Sequence, residues 1–146
     1  LELNEMKDIE LAKKYLEDEN LCLAVVKDGD LIFKSHDRGI KPMYTLATEM
    51  LDITRESSIA DKVIGKGAAM LCEYIGIKEV YGQLISDTGL EILEASNITY
   101  SYKKKCSYIK NRDETDMCPI EKMAIQVKNA EELLNRIMEF LKAASK

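Results

Sequence analysis

The stretch "KEVYGQLISDTGLEILEASNITYSY", residues 78 to 102, constrains the fold more than any other. It holds two β-rich runs separated by a helical pattern. "KEVYGQLIS" has the alternation and bulk of a strand, "GLEILEAS" has helical spacing, and "ITYSY" resumes as a strand after Asn97. A helix between two strands of one sheet makes a crossover, so the strands should run parallel and the connection should be right-handed.

Upstream, "LCLAVV-KDGD-LIFKS" places two strand-forming runs around Asp28-Gly29, a strong hairpin signal that requires an antiparallel pair. The chain therefore predicts a mixed sheet, an antiparallel hairpin plus a parallel β-α-β unit, in a three-layer α/β/α sandwich. Helices should complete the layers. Residues 5 to 18 place Met6, Ile9, Ala12 and Leu16 on one face, and Tyr44 to Leu51 follow Pro42. A helix over 59 to 75 is predicted with Ser58 as N-cap, Asp61 at N3, a stripe of Ala60, Ile64, Ala68, Leu71 and Ile75, and Gly76 as its stop. Cys118-Pro119 opens a short helix, and Asn129 with Glu132 begins the last one.

With 146 residues and no internal repeat or linker, residues 1–146 read as one domain. Net charge of −5 argues against nucleic acid or anionic lipid as a partner of the whole chain. No apolar run is long enough to span a membrane, and the first residues lack a secretory core. Cys22, Cys72, Cys106 and Cys118 are scattered, and His36 is the one histidine. No metal site is expected, no cofactor is implied, and reduced thiols indicate a cytoplasmic protein.

Ligands in open α/β sheets collect beyond the carboxyl ends of parallel strands. Three segments should meet there: Ser86-Asp87-Thr88-Gly89, the loop "KKKCSYIKNRDETDMCP", and the start of the helix over 59 to 75. In that helix Lys62 and Lys66, four apart, would stack on one face near the end where a cation is unfavourable by ~0.3–1 kcal/mol. A bound anion would offset this cost; an ordinary solvated face with nearby carboxylates is the alternative. Cys118 at a helix start, near Lys122 and Arg112, could have an activated thiol, with Glu121 as acid or base; a small cap residue is the alternative. Residues 100 to 112 interleave five cations with Tyr100, Tyr102 and Tyr108, which suits RNA or equally a lysine-protected edge strand.

Two longer motifs carry a resemblance. "ADKVIGKGAAML" contains Asp61, Lys62, Gly65 and Lys66, and "NRDETDMCPIEKMA" contains Asn111, Arg112, Asp113, Met117, Cys118, Pro119, Glu121 and Lys122. With Arg38, Gly39, Lys41 and Pro42, they resemble an uncharacterised prokaryotic family, the domain of unknown function numbered eighteen ninety-three. That family is similar to a divergent cytidine-deaminase-like fold, which the resemblance therefore implies here. Zinc deaminases need a His or Cys with a Glu at one helix start and Pro-Cys-x-x-Cys at the next. The matching positions read Ala60-Asp61-Lys62 and Ser86-Asp87-Thr88-Gly89, and Cys118 stands alone, so the resemblance implies the fold without its zinc.

The expected function is binding of an anionic, nucleotide-like small molecule. Lys62, Cys118 and Glu121 are the candidate catalytic groups. Asp61, Lys66, Asp87, Asn111, Arg112 and Lys122 are the candidate ligand contacts. The alternative is a non-catalytic regulatory or protein-interaction module, such as a homo-oligomer using the same surface.

Overall fold

A computed structural model describes residues 6–145. Helix α1 (Asp8–Asp18) leads into strands β1 (Leu23–Lys27) and β2 (Asp30–Ser35). The turn between them has φ of 50° at Asp28 and 84° at Gly29, the left-handed pair that a tight hairpin needs. The Asp8 carboxylate accepts both turn N–H groups at 2.9 Å, tying α1 to the hairpin. Residue 5, expected in the first helix, lies outside the described residues, and Met6 precedes α1 and is exposed.

Pro42 lies in the first turn of α2 (Lys41–Glu49), where its missing N–H costs nothing, and a single turn, α3 (Leu51–Thr54), follows. The chain then alternates through β3 (Ser58–Ile64), α4 (Lys66–Ile75), β4 (Glu79–Ser86), α5 (Asp87–Ala95) and β5 (Thr99–Cys106). Two helices close it, α6 (Pro119–Gln126) and α7 (Ala130–Ala144). Asn129 caps α7 by accepting the Glu132 N–H at 2.9 Å, and left-handed Gly76 ends α4, both as expected.

The five strands form one mixed sheet in the order β2-β1-β3-β4-β5. β1 is antiparallel to β2 and β3, whereas β3, β4 and β5 are parallel. Helices flank it unequally. On one face α1 packs Ile9, Ala12 and Leu16 against Ala24, Val26, Ala60 and Tyr81. On the other, Leu23, Val25, Ile59, Ile64, Val80 and Ile85 meet α2, α4, α5, α6 and α7 in the larger core. α4 is buried on nearly all sides, because α6 crosses it at Gly67, where an added Cβ would stand 2.7 Å from the Ile120 side chain.

The predicted helix over 59 to 75 is instead a strand, Gly65, and a shorter helix. Ser58 and Asp61 therefore cap nothing, and Lys62 and Lys66 do not share a helix face. The apparent stripe from Ala60 to Ile75 arose from two adjoining elements that are both buried. Ile59, Val63 and Ile64 are β-branched, and the segment pairs with β1 on one side and β4 on the other. The last strand also runs through Lys103–Lys104–Lys105 to Cys106 rather than ending near 102.

Candidate functional site

The carboxyl ends of β3, β4 and β5 meet at one edge of the sheet, with the N-termini of α4 and α5 and the loop before α6. Here lies Glu121, a charged side chain only 3% exposed. It is carried there by α6 and accepts the backbone N–H of Lys66, in the first turn of α4, through Oε1. Oε2 faces the Ile109 N–H at the outer limit of bonding, 3.5 Å. A carboxylate is well suited to a helix start, since it satisfies a free donor and complements the dipole. The helix start lies at Lys66 rather than at Ser58, where a ligand anion was expected, and it already holds one of the chain's own carboxylates.

Gly65 makes this contact possible. Its φ of −97° is open to any residue, so space rather than backbone freedom matters. A Cβ there would stand 2.8 Å from Glu121 Cδ and 3.1 Å from the Ile109 side chain. The neighbouring helix start is equally close: a Cβ at Gly89 would stand 3.0 Å from the Ile64 and Gly65 carbonyl oxygens. Ser86, buried, caps α5 by accepting the Gly89 N–H at 3.1 Å.

Cys106 ends β5 between these groups. Its half-buried thiol lies 3.7 Å from the Ile85 carbonyl oxygen. Burial first, then the Glu121 and Asp87 carboxylates, push the thiol above its ordinary range, while Lys104 and Lys110 pull it down. Asp87, in the first turn of α5, is half-exposed and has Lys105 Nζ at 3.8 Å. Cys106 was not among the sequence-predicted residues. The signal for it is position alone, the last residue of a parallel strand at the ligand-collecting edge, and the "ITYSY" pattern, which stops at 102, does not show it.

The expected residues divide into three groups. Lys66, Asp87 and Glu121 share the edge. Cys118 adjoins it as the residue before α6, with its N–H donated to the Ile109 carbonyl at 2.8 Å and no side-chain cap bond. Asn111 and Lys122 build the loop instead. Asn111 Oδ1 accepts the Thr115 N–H at 3.0 Å, and Lys122 pairs with Asp116, holding that carboxyl below the usual carboxylate range. Arg112 is exposed and forms no ion pair among the described residues.

Lys62 and Asp61 lie elsewhere. Lys62 extends on the α1 side, where its Nζ donates to Asn20 Oδ1 at 2.9 Å. Asp61 points under α4 toward Cys72, with Oδ1 accepting the Val63 N–H at 3.1 Å. Burial pushes its carboxyl up to about 7, against the pull of the Val63 and Lys62 N–H groups. Burial, then the Asp61 carboxylate, pushes the Cys72 thiol far up as well.

Three or more metal-ligating side chains do not cluster anywhere among the described residues. No described helix is long and apolar enough to cross a membrane. A groove of about 360 Å³ lined by Glu56, Glu73, Lys78 and Asn97 lies at the opposite end of the parallel strands, away from Glu121.

The architecture and this edge define an α/β protein with a mixed sheet whose parallel strand ends enclose a buried carboxylate. The chain belongs to the family described as Domain of unknown function (DUF1893), whose pattern matches residues 11–141. It is similar to a DUF1893 family protein (TM1506) from Thermotoga maritima, known from a crystal structure at 2.70 Å resolution. The two are 26% identical, with a TM-score of 0.75 over 87% of this chain and 85% of the other. No curated protein matches the chain significantly.

Proposed function

We propose that the edge formed by the ends of β3, β4 and β5 binds an anionic, nucleotide-like small molecule in a zinc-free, deaminase-like cleft. The observation that carries this reading is the nearly inaccessible Glu121 carboxylate, placed where ligands of parallel sheets collect. Burying an ion is expensive, and a structural cap could be exposed at far lower cost. A carboxylate can accept about four hydrogen bonds, and two donors face it here, leaving capacity for a base N–H or a sugar hydroxyl. Because Glu121 occupies the α4 terminus, the ligand's negative charge would be held by ammonium groups, Lys66, Lys104 and Lys110, rather than by the helix dipole. If a reaction follows binding, Glu121 is its acid–base group. Cys118 is the adjacent thiol, and Lys66, rather than Lys62, is the candidate catalytic lysine. The same reading takes the chain as cytoplasmic, supported by four cysteines that form no disulfide.

The test is thermal stabilisation by nucleoside mono-, di- and triphosphates and by sugar phosphates, in wild type and Glu121→Gln. Ligand at ~100 times Kd should add about 2.7 kcal/mol of stability. Specific stabilisation by nucleotides, weakened in Glu121→Gln, is expected. No stabilisation at millimolar ligand would reject the proposal.

A further inference from the structure

We propose that the outer edge of β5 takes an extended acidic peptide as a sixth strand. β5 pairs with β4 on one side only, and among the described residues no backbone group of residues 99–106 has a partner beyond that ladder. Ser101 to Lys105 are all exposed, so this edge is open on both faces as well as along its length. An unpaired strand edge is a row of donors and acceptors that another peptide backbone matches and a nucleic acid does not.

Charge then selects the kind of strand. Lys103 and Lys104 form no ion pair among the described residues, and Lys105 has only the distant Asp87. A single lysine on an edge already discourages unwanted pairing. Three in succession place positive charge on both faces, so an incoming strand with Asp or Glu finds a partner whichever face it presents. A second copy joined β5 to β5 would instead gather six lysines in one two-stranded ribbon. Tyr102, 41% exposed, adds an aromatic surface for an apolar side chain of the guest.

The experiment uses the full chain and two extended probe peptides, one alternating Glu and Val, the other Lys and Val. Binding is read by fluorescence anisotropy and by amide hydrogen exchange. The Glu–Val peptide should bind at least about tenfold more tightly than the Lys–Val peptide and slow exchange of the β5 amides. The double variant Lys103→Glu, Lys104→Glu should reverse that preference, and the gained binding shows that the variant is folded. Equal binding of both peptides, or unchanged β5 exchange, overturns the proposal. So does a single-stranded RNA that binds more tightly than the acidic peptide, or a wild-type dimer whose β5 amides are already protected.

Discussion

Glu121 and Lys66 are 55 positions apart in sequence, yet the carboxylate of one accepts the backbone N–H of the other. That single bond joins α6 to the first turn of α4 and seals the edge where β3 ends. Removing the carboxylate by Glu121→Ala should leave a buried N–H unsatisfied and open a cavity. A loss of about 2–4 kcal/mol is expected in urea unfolding. Glu121→Gln keeps an acceptor and should lose about half as much or less. Equal losses in the two variants would show that the oxygen at Lys66 matters little.

Gly65→Ala tests the same contact from the other side. The backbone there tolerates alanine, so any loss comes from forcing the Glu121 carboxyl and Ile109 apart. We expect about 1–3 kcal/mol, with an unchanged m-value. A neutral Gly65→Ala would mean that Glu121 can turn away freely.

Asp61 makes stability depend on pH in an unusual direction. Its carboxyl titrates at about 7 when folded against an ordinary value of 3.8, so between those limits the folded state binds more protons than the unfolded one. Stability from this group is therefore complete below pH 4 and falls as pH rises toward 7. Asp61→Asn preserves an acceptor for the Val63 N–H and removes the charge. It should be more stable than wild type at pH 8, on the order of 1–3 kcal/mol, and no more stable at pH 4. A constant difference across that range would rule out the titration.

The two lysines should behave differently. Lys66→Met removes a charge at the candidate site and should weaken nucleotide binding by about 1.5–3 kcal/mol, with Tm unchanged or raised. Lys62→Met removes only an exposed bond to Asn20 and should leave affinity alone. Calorimetric titration of both variants decides between them; equal losses would place Lys62 at the site after all.

Among the thiols, Cys118 should alkylate ahead of Cys106 and Cys72. Cys72 is fully buried and far raised, and Cys106 is raised by burial and two acids. Mass-resolved labelling of native protein tests the order, and early modification of Cys72 would contradict the packing of α4.

What could be read from the sequence follows the range of the interactions involved. The Asp28-Gly29 hairpin and the Asn129 cap rest on neighbours a few residues apart, the β4-α5-β5 crossover shows two separate strand patterns with a helical one between them, and each is found. β3 depends on partners some 35 positions earlier and 20 later, in β1 and β4. Its burial on both faces erased the alternation that marks an ordinary strand, and Gly65 alone separated it from a buried helix. The candidate edge was legible as a place, the strand ends, and the structure brings three of the expected residues, Glu121, Lys66 and Asp87, to it. It was not legible in its chemistry. Whether Asn111 faces a ligand or folds its own loop, and whether a helix start is vacant or already filled by a distant carboxylate, depends on tertiary packing.

The unequal covering of the sheet has a consequence for how the protein fails. α1 alone, among the described helices, shields the strip formed by Ala24, Val26, Ala60 and Tyr81, helped by Lys13 lying 4.6 Å over the Tyr81 ring. Detaching one short helix would bare an apolar strip spanning three strands while the thicker opposite layer stayed intact. Such a half-open molecule is a seed for self-association, so shelf life at high concentration would be governed by how firmly Asp8 and Leu16 hold that helix down.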